Sequence, residues 1–233
     1  MTIIVETGGP LGSTPPVLDP TTFANLSVQI ADELDDTTDE YAGQIQSAIY
    51  QAIRWCEREV YYFNETRDVT FSTVEGQEWY GSGDHEQISR LVRIIAAYSE
   101  RPDGERYSLR RQMPDEMERQ ADTSASRGEP YAFTYFDQQI RLYPIPDATV
   151  YTIRLQLGPY RLAPITATSD ANAWTTEAYD MVRAMAKHIL YRDILKDDNE
   201  AAKSLAVYQA EHEALKAETS RRNGRGVIIA TCF

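Results

Sequence analysis

Cysteine, histidine and positive charge are all scarce in this chain of 233 residues, which has two Cys, three His, and 23 Lys and Arg against 36 Asp and Glu. The two cysteines, Cys56 inside a helical pattern and Cys232 beside the C-terminus, supply neither a disulfide framework nor the paired spacing of a structural metal site. They fit a reducing compartment, with one buried thiol and one exposed. A formal net charge of −13 disfavours a sequence-independent grip on nucleic-acid phosphates and favours a soluble surface that repels polyanions. No uninterrupted apolar run approaches the ~18 residues of a membrane span. The opening MTIIVETGGPLG has no basic n-region and too short an apolar stretch for a signal peptide. The expectation is a protein made and used without secretion and without a membrane.

What is present is ordinary in bulk and ordered in pattern. Hydrophobic residues make up 42% of the chain and charged residues 25%, enough to bury a core in one domain with extensions. Tyr is abundant, at 15 residues, and suits strands and contact surfaces because it joins apolar area to a hydroxyl that tolerates water. Residues 1–20 are rich in Gly, Pro and Thr without a sustained period and read as an extended arm.

A first helix is expected from about Thr22 to Leu34, with Phe23, Leu26, Ile30 and Leu34 on one stripe. After DDTT, Thr37 and Glu40 have capping-box spacing, each side chain able to satisfy a free backbone N–H. The helix that follows carries Tyr41, Ile45, Ala48, Ile49, Ala52, Ile53 and Cys56 on one face. From about residue 66 the period changes. Val69, Phe71 and Thr73 alternate as in a half-buried strand, a loop holds Gly76, Gly81 and Gly83, and LVRIIAAY reads as a buried strand. RPDGER is turn chemistry around its Asp-Gly pair, leading into YSLRR. Pro114, Asp115 and Glu116 read as the first turn of a short helix, and DTSASRGEP as a loop. YAFTYF and QIRLYP form the arms of a hairpin around Asp137 and Gln138. VYTIRLQL places Tyr151, Ile153, Leu155 and Leu157 on one strand face. The helical period returns with Ala178, Met181, Val182, Met185, Ala186, Ile189 and Leu190. Asp197 with Glu200 marks the start of a last helix containing Ala201, Leu205, Tyr208, His212 and Leu215, and TSRRNGRGVIIATCF ends the chain.

This order predicts an α+β fold: a helical bundle from N- and C-terminal helix pairs with a β-rich insertion between them, plus extended N- and C-terminal tails. The expected boundaries are an arm at 1–20, a helix pair at 21–65, the β-rich insertion at 66–165, a second helix pair at 166–218 and a docking tail at 219–233, in one globular domain overall. Chain ends of a domain often lie close together, so the two helix pairs can share one core.

The residues that could carry chemistry read more simply as structure. Asp84, His85 and Glu86 adjoin in a Gly-rich loop, but neighbours on a loop rarely converge on a metal without a further ligand, and a solvated turn is favoured. His188, beside an apolar stripe, reads as packed or hydrogen-bonded rather than as a general base, and His212 as a contact residue. No G-x-S-x-G, Walker-type or G-x-G-x-x-G segment occurs. The carboxylate pairs Asp35/Asp36 and Asp197/Asp198 read as helix ends. No catalytic, cofactor-binding or metal-ligating residue emerges. The C-terminal end says more. Arg221, Arg222 and Arg225 border flexible Asn223, Gly224 and Gly226, and Val227, Ile228, Ile229 and Phe233 would be exposed apolar surface on a monomer. Such a segment can add to another subunit as a strand or fill a groove between subunits.

Three stretches carry a family resemblance. TTFANLSVQIADEL followed by AGQIQSAIYQAIRWCEREV is one, EPYAFTYFDQQIRLYPIPDATVYTIRLQLGPYRLAPI the second, and WTTEAYDMVRAMAKHILYRDILKDDNEAAKSLAVYQAEHEAL the third. In this order they resemble the head-to-tail adaptor (connector, neck) proteins of tailed bacteriophages, over most of residues 21–217. The resemblance implies a structural, non-enzymatic virion protein of the neck at the head-tail junction, assembled in the host cytoplasm. It implies a homo-oligomeric, dodecameric ring beneath the portal protein, which the C-terminal tail would reach. The ring would contact downstream tail or nozzle proteins and extend a channel through which DNA passes without sequence-specific binding. Two other readings stay open: a tail-carried cell-wall hydrolase, which would need two of Glu57, Glu59 and Glu65 in one cleft, and a tail-completion or terminator subunit, which the long helix pairs disfavour.

Overall fold

The structure is a computed structural model that describes residues 22–121, 127–162, 165 and 170–224. The arm at 1–20, the chain end after Gly224 with Cys232, and residues 122–126 of the DTSASRGEP loop lie outside the described residues. Two helices open the described chain, α1 (Phe23–Glu33) and α2 (Ala42–Cys56). Strands β1 (Thr66–Ser72), β2 (Trp79–Tyr80), β3 (Ile94–Glu100) and β4 (Arg106–Arg111) follow. Then come a short helix α3 (Pro114–Ala121) and strands β5 (Ala132–Phe136), β6 (Gln139–Tyr143) and β7 (Thr152–Leu157). Helices α4 (Ala173–Thr176), α5 (Tyr179–Leu190) and α6 (Asp198–Arg222) close it. The fold is α+β, and none of the described helices is long and apolar enough to cross a membrane.

The helices share one buried cluster. On α2 the residues at helical spacing, Ile45, Ala48, Ile49, Ala52, Ile53 and Cys56, are all buried. On α5 Met181, Val182, Met185, Ala186, Ile189 and Leu190 are buried as well. Helix α5 packs against α1, α2, α4 and α6, so it is the member that meets four neighbouring helices. Each fully buried Ile or Val there contributes ~1.5–3 kcal/mol. Helix α6 touches this core along a narrower seam, burying Ala201, Tyr208 and Leu215 at seven-residue spacing together with Ser204 and Thr219.

Seven strands form one sheet in the order β1-β7-β3-β4-β5-β6-β2. All pairings are antiparallel except β4 with β5, which run parallel. The register places Val69, Leu155, Ala97 and Leu109 in one row across β1, β7, β3 and β4, and all four are buried. A slip of one residue would turn that row to solvent. The β5–β6 hairpin turns through Asp137 and Gln138, both at positive φ (48° and 59°), as a two-residue primed turn requires. Within the sheet, Arg141 is 5% exposed and is paired with Glu78 and Glu118, while its guanidinium lies over the Trp79 ring. A charge removed from water to that degree needs such partners, and they tie α3 and β2 to β6.

Three local expectations change. LVRIIAAY does not start the strand at Leu91: β3 begins at Ile94, and Leu91 makes an isolated bridge to Tyr160. The capping box of Thr37 and Glu40 does not form. Asp36, one residue earlier, accepts from the backbone N–H groups of Glu40 (3.0 Å) and Tyr41 (2.9 Å), because an ionised carboxylate offers two oxygens where a hydroxyl offers one. Tyr41 sits at the N-cap position of α2, one residue before the helix, and still packs partly buried against the core that the stripe faces. At the other helix start Asp197 does accept from Asn199 (3.0 Å) and Glu200 (3.1 Å), while the Glu200 carboxylate turns to Lys203 instead.

The two chain crossings between the helical core and the sheet meet at Asn64, which is 0% exposed. Its side chain accepts from the Tyr61 N–H (2.8 Å) and donates to the Glu59 carbonyl (2.9 Å). Its own carbonyl accepts from the N–H of Tyr160 (3.2 Å) on the returning segment.

Chemical denaturation separates the two caps proposed for α2. Asp36→Ala is expected to lower the unfolding free energy by about 1 kcal/mol, and Thr37→Ala by less than ~0.5 kcal/mol. The reverse ranking would reinstate the capping box.

Candidate assembly surface

The end of α6 is fastened to the segment that follows α2. Thr219 is buried; its hydroxyl donates to the Leu215 carbonyl (2.8 Å) and accepts from the Tyr62 N–H (3.2 Å). The Arg222 guanidinium stacks 3.7 Å from the centre of the Tyr62 ring and is held by Glu218. Tyr62 in turn donates to the Glu177 carboxylate. Burial, and then that carboxylate, push the Tyr62 hydroxyl up to about 12, so it stays protonated and donating. The side-chain amide of Asn223 donates to both Glu65 oxygens (3.0 and 3.2 Å). Residues 219–222 are therefore helical and partly built into the body.

Of the arginines expected to dock, Arg222 is occupied internally. Arg221 is exposed in the last turn of α6 and has no ion pair among the described residues; its Nε reaches only the Ala217 carbonyl (3.4 Å). Arg225, Val227, Ile228, Ile229 and Phe233 lie outside the described residues. The structure thus shows a fixed exit for the C-terminal end beside Tyr62 and Glu65.

The residues considered for catalysis separate. Glu57 lines a cavity of about 770 Å³ and lies 3.8 Å from Arg161; burial raises its carboxyl while Arg161 and Arg54 oppose the rise. Glu65 lines a different, polar cavity of about 380 Å³ with Tyr62 and Asn223, and Glu59 pairs with Lys216 at 3.0 Å. The three carboxylates do not share one cleft. Asp84 accepts from the Gly81 N–H (2.8 Å) and the Gln77 amide (2.9 Å), and His85 from the Gln87 N–H (3.2 Å), which makes the loop a self-satisfied turn. Among the described residues no group of three or more His, Cys, Asp or Glu is placed to hold a metal ion.

The other singled-out side chains serve packing. The Cys56 thiol is pushed up to about 12 by burial, where it is not a nucleophile. His188 Nδ1 donates to the Ala201 carbonyl (2.9 Å), joining α5 to α6. Tyr61 is fully buried and keeps its proton because burial raises its hydroxyl; its hydroxyl and Nδ1 of His212 share a hydrogen bond of 2.6 Å. Burial first, and Lys216 second, hold His212 below its ordinary value. Sequence reasoning missed two features: the Tyr62–Arg222 stack, and the arginines gathered around Glu57 from segments far apart in the chain.

Over residues 21–229 the chain matches the family described as SU10 adaptor protein. It belongs to that family of phage adaptor proteins. The match spans every described helix and strand and continues through Arg225, Val227, Ile228 and Ile229. No curated protein matches the chain in sequence. As a member of a structural phage family, the adaptor chain is read through its surfaces rather than through a reaction.

Two measurements follow. Deleting residues 225–233 is expected to leave thermal unfolding unchanged within a degree or so. Deleting 219–233 should lower it clearly, since it removes buried Thr219 and the Arg222 stack; equal stability of the two truncations would contradict the anchoring. The depressed His212 pKa means the unfolded state takes up the proton first, so its contribution is complete above ~6.5 and is lost as pH falls below that. Denaturation at pH 7.5 and 5.5 is expected to show a smaller pH-dependent loss in His212→Gln than in the wild type, and identical losses would refute the assignment.

Proposed function

We propose that the chain is the structural adaptor subunit of a tailed-phage neck, copies of which form a ring below the portal at the capsid vertex, extend the DNA channel and join head to tail. The observation that carries this reading is the family match across residues 21–229. The order of elements supports it. Four helices drawn from both chain ends share one core, which we read as a bundle suited to standing beside its copies, with the β-rich insertion projecting from it. The arm at 1–20 and the end beyond Gly224 are then the natural reaching elements, the latter toward the portal.

Charge supports the same role. A net charge of −13 lets DNA slide past rather than hold it, since a tight grip requires phosphate neutralisation by clustered cations. Portal and tail proteins are the partners this assigns, with no membrane and no cofactor.

Cryo-electron microscopy of the virion, with mass spectrometry of purified particles, tests the reading. The protein is expected as a ring directly beneath the portal. A virion without it, or with it placed elsewhere, sinks the proposal.

A further inference from the structure

The adaptor reading leaves open how copies recognise one another, and the distribution of charge along α2 bears on that. At the C-terminal end of α2, Arg54 and Arg58 line the cavity of about 770 Å³, and Arg90 and Arg161 reach it from the turn before β3 and from the segment after β7. Arg54 and Arg58 alone could be explained as cations complementing the helix C-terminus. Arg90 and Arg161 cannot, because they come from elsewhere in the chain. One carboxylate, Glu57, faces these four arginines, and only Arg161 lies within ion-pair distance of it. The wall also includes Trp174, whose fully buried indole N–H has no hydrogen-bond partner among the described residues. A strongly acidic protein therefore gathers four arginines around one carboxylate in this concavity, and three of them have no ion pair among the described residues.

The opposite end of α2 has the opposite sign. No Lys, Arg or His occurs before Arg54, whereas six carboxylates fall between Asp32 and Glu40. Glu33 is held by Arg183 and Lys187, and Asp36 is spent on capping α2. Asp32, Asp35, Asp39 and Glu40 have no ion pair among the described residues. Asp35 and Asp39 sit at positive φ (56° and 57°), which folds this stretch into a tight turn. The 15 residues of α2 separate the two ends by ~22 Å, so they cannot pair within one molecule.

We infer that the arginine-lined cavity of one copy receives the acidic α1–α2 turn of a second copy. This deepens the adaptor reading and rests on it. A heterologous contact of this kind is head-to-tail, and repeats into a ring when the rotation closes. The surroundings suit a protein partner: Tyr50 in the cavity wall is 40% exposed, and Trp55, 52% exposed, lies beside the wall residue Arg58, whose guanidinium is 5.5 Å from the centre of its ring. Exposed Trp, Tyr and Arg together are the residue types that dominate protein interfaces. A nucleic-acid occupant fits less well, since its phosphates would have to approach a chain of the same sign.

Sedimentation velocity on the full-length protein tests the pairing. The wild type is expected to self-associate, and Arg54→Glu/Arg58→Glu and Asp32→Lys/Glu40→Lys are each expected to weaken association about tenfold or more. An equimolar mixture of the two should recover association near the wild-type level, because each bears the complement of the other's altered end. Circular dichroism checks that both variants are folded, and Arg54→Gln/Arg58→Gln serves if the reversal is not. A wild type that stays monomeric, an arginine variant that associates normally, or a mixture that stays dissociated overturns the inference. So does arginine-dependent binding of a DNA duplex without any change in self-association. A monomeric protein still found beneath the portal would remove this contact and leave the adaptor reading standing.

Discussion

Five consecutive residues, Tyr61 to Glu65, hold the two halves of this protein in one arrangement. Tyr61 reaches His212 on α6, Tyr62 takes Thr219, Arg222 and Glu177, and Phe63 packs edge-on against Trp174 with ring centres 5.0 Å apart. Asn64 then ties the outgoing crossing to the returning one, and Glu65 receives Asn223. A hydrogen bond contributes only ~0.5–1.5 kcal/mol net, so no single contact in this segment dominates. Their effect comes from convergence. The helical core and the sheet each bury their own apolar cluster, and this segment sets how one is oriented on the other.

The charged groups divide into those that fix the fold and those left over. Arg141 is nearly inaccessible and fully engaged, so it belongs to the sheet's architecture. Arg222 is spent on Tyr62 and Glu218, and Glu33 on joining α1 to α5 through Arg183 and Lys187. Exposed ion pairs add little to stability, so charges without an internal partner are more informative about assembly than those with one. By that criterion the informative charges are Arg221, Arg54, Arg58 and Arg90, together with Asp32, Asp35, Asp39 and Glu40, which have no ion pair among the described residues.

Much of the fold was legible because its signals are local. The stripe from Ile45 to Cys56 and the alternation from Tyr151 to Leu157 each carry a period that needs no partner to be recognised. The turn at Asp137 and Gln138 was legible from the flanking strands, although neither residue is Gly. The Thr37 and Glu40 pattern misled because Asp36 competes for the same backbone donors with a stronger acceptor. The end of α6 was read too early, since Ser, Arg, Asn and Gly look like a tail until Thr219 is seen to be buried against Tyr62. The assembly surface was the least legible part. Arg90 and Arg161 join Arg54 only after the sheet has folded, and the contacts that Tyr61, Tyr62, Phe63 and Glu65 make with the C-terminal helices span more than a hundred residues.

The anchoring of α6 bears on the docking proposed for the C-terminal end. An end attached through a flexible linker gains only effective concentration from its tether. Here the last described residues leave from a point fixed by Tyr62 and Glu65, which is also where the helical core and the sheet are joined. Under the proposed adaptor role, tension on a docked end would be borne at that point, by the Tyr61–Glu65 segment. The same segment that orients the two cores also holds Thr219, Arg222 and Asn223, so the end of α6 and the junction of core and sheet share one constraint.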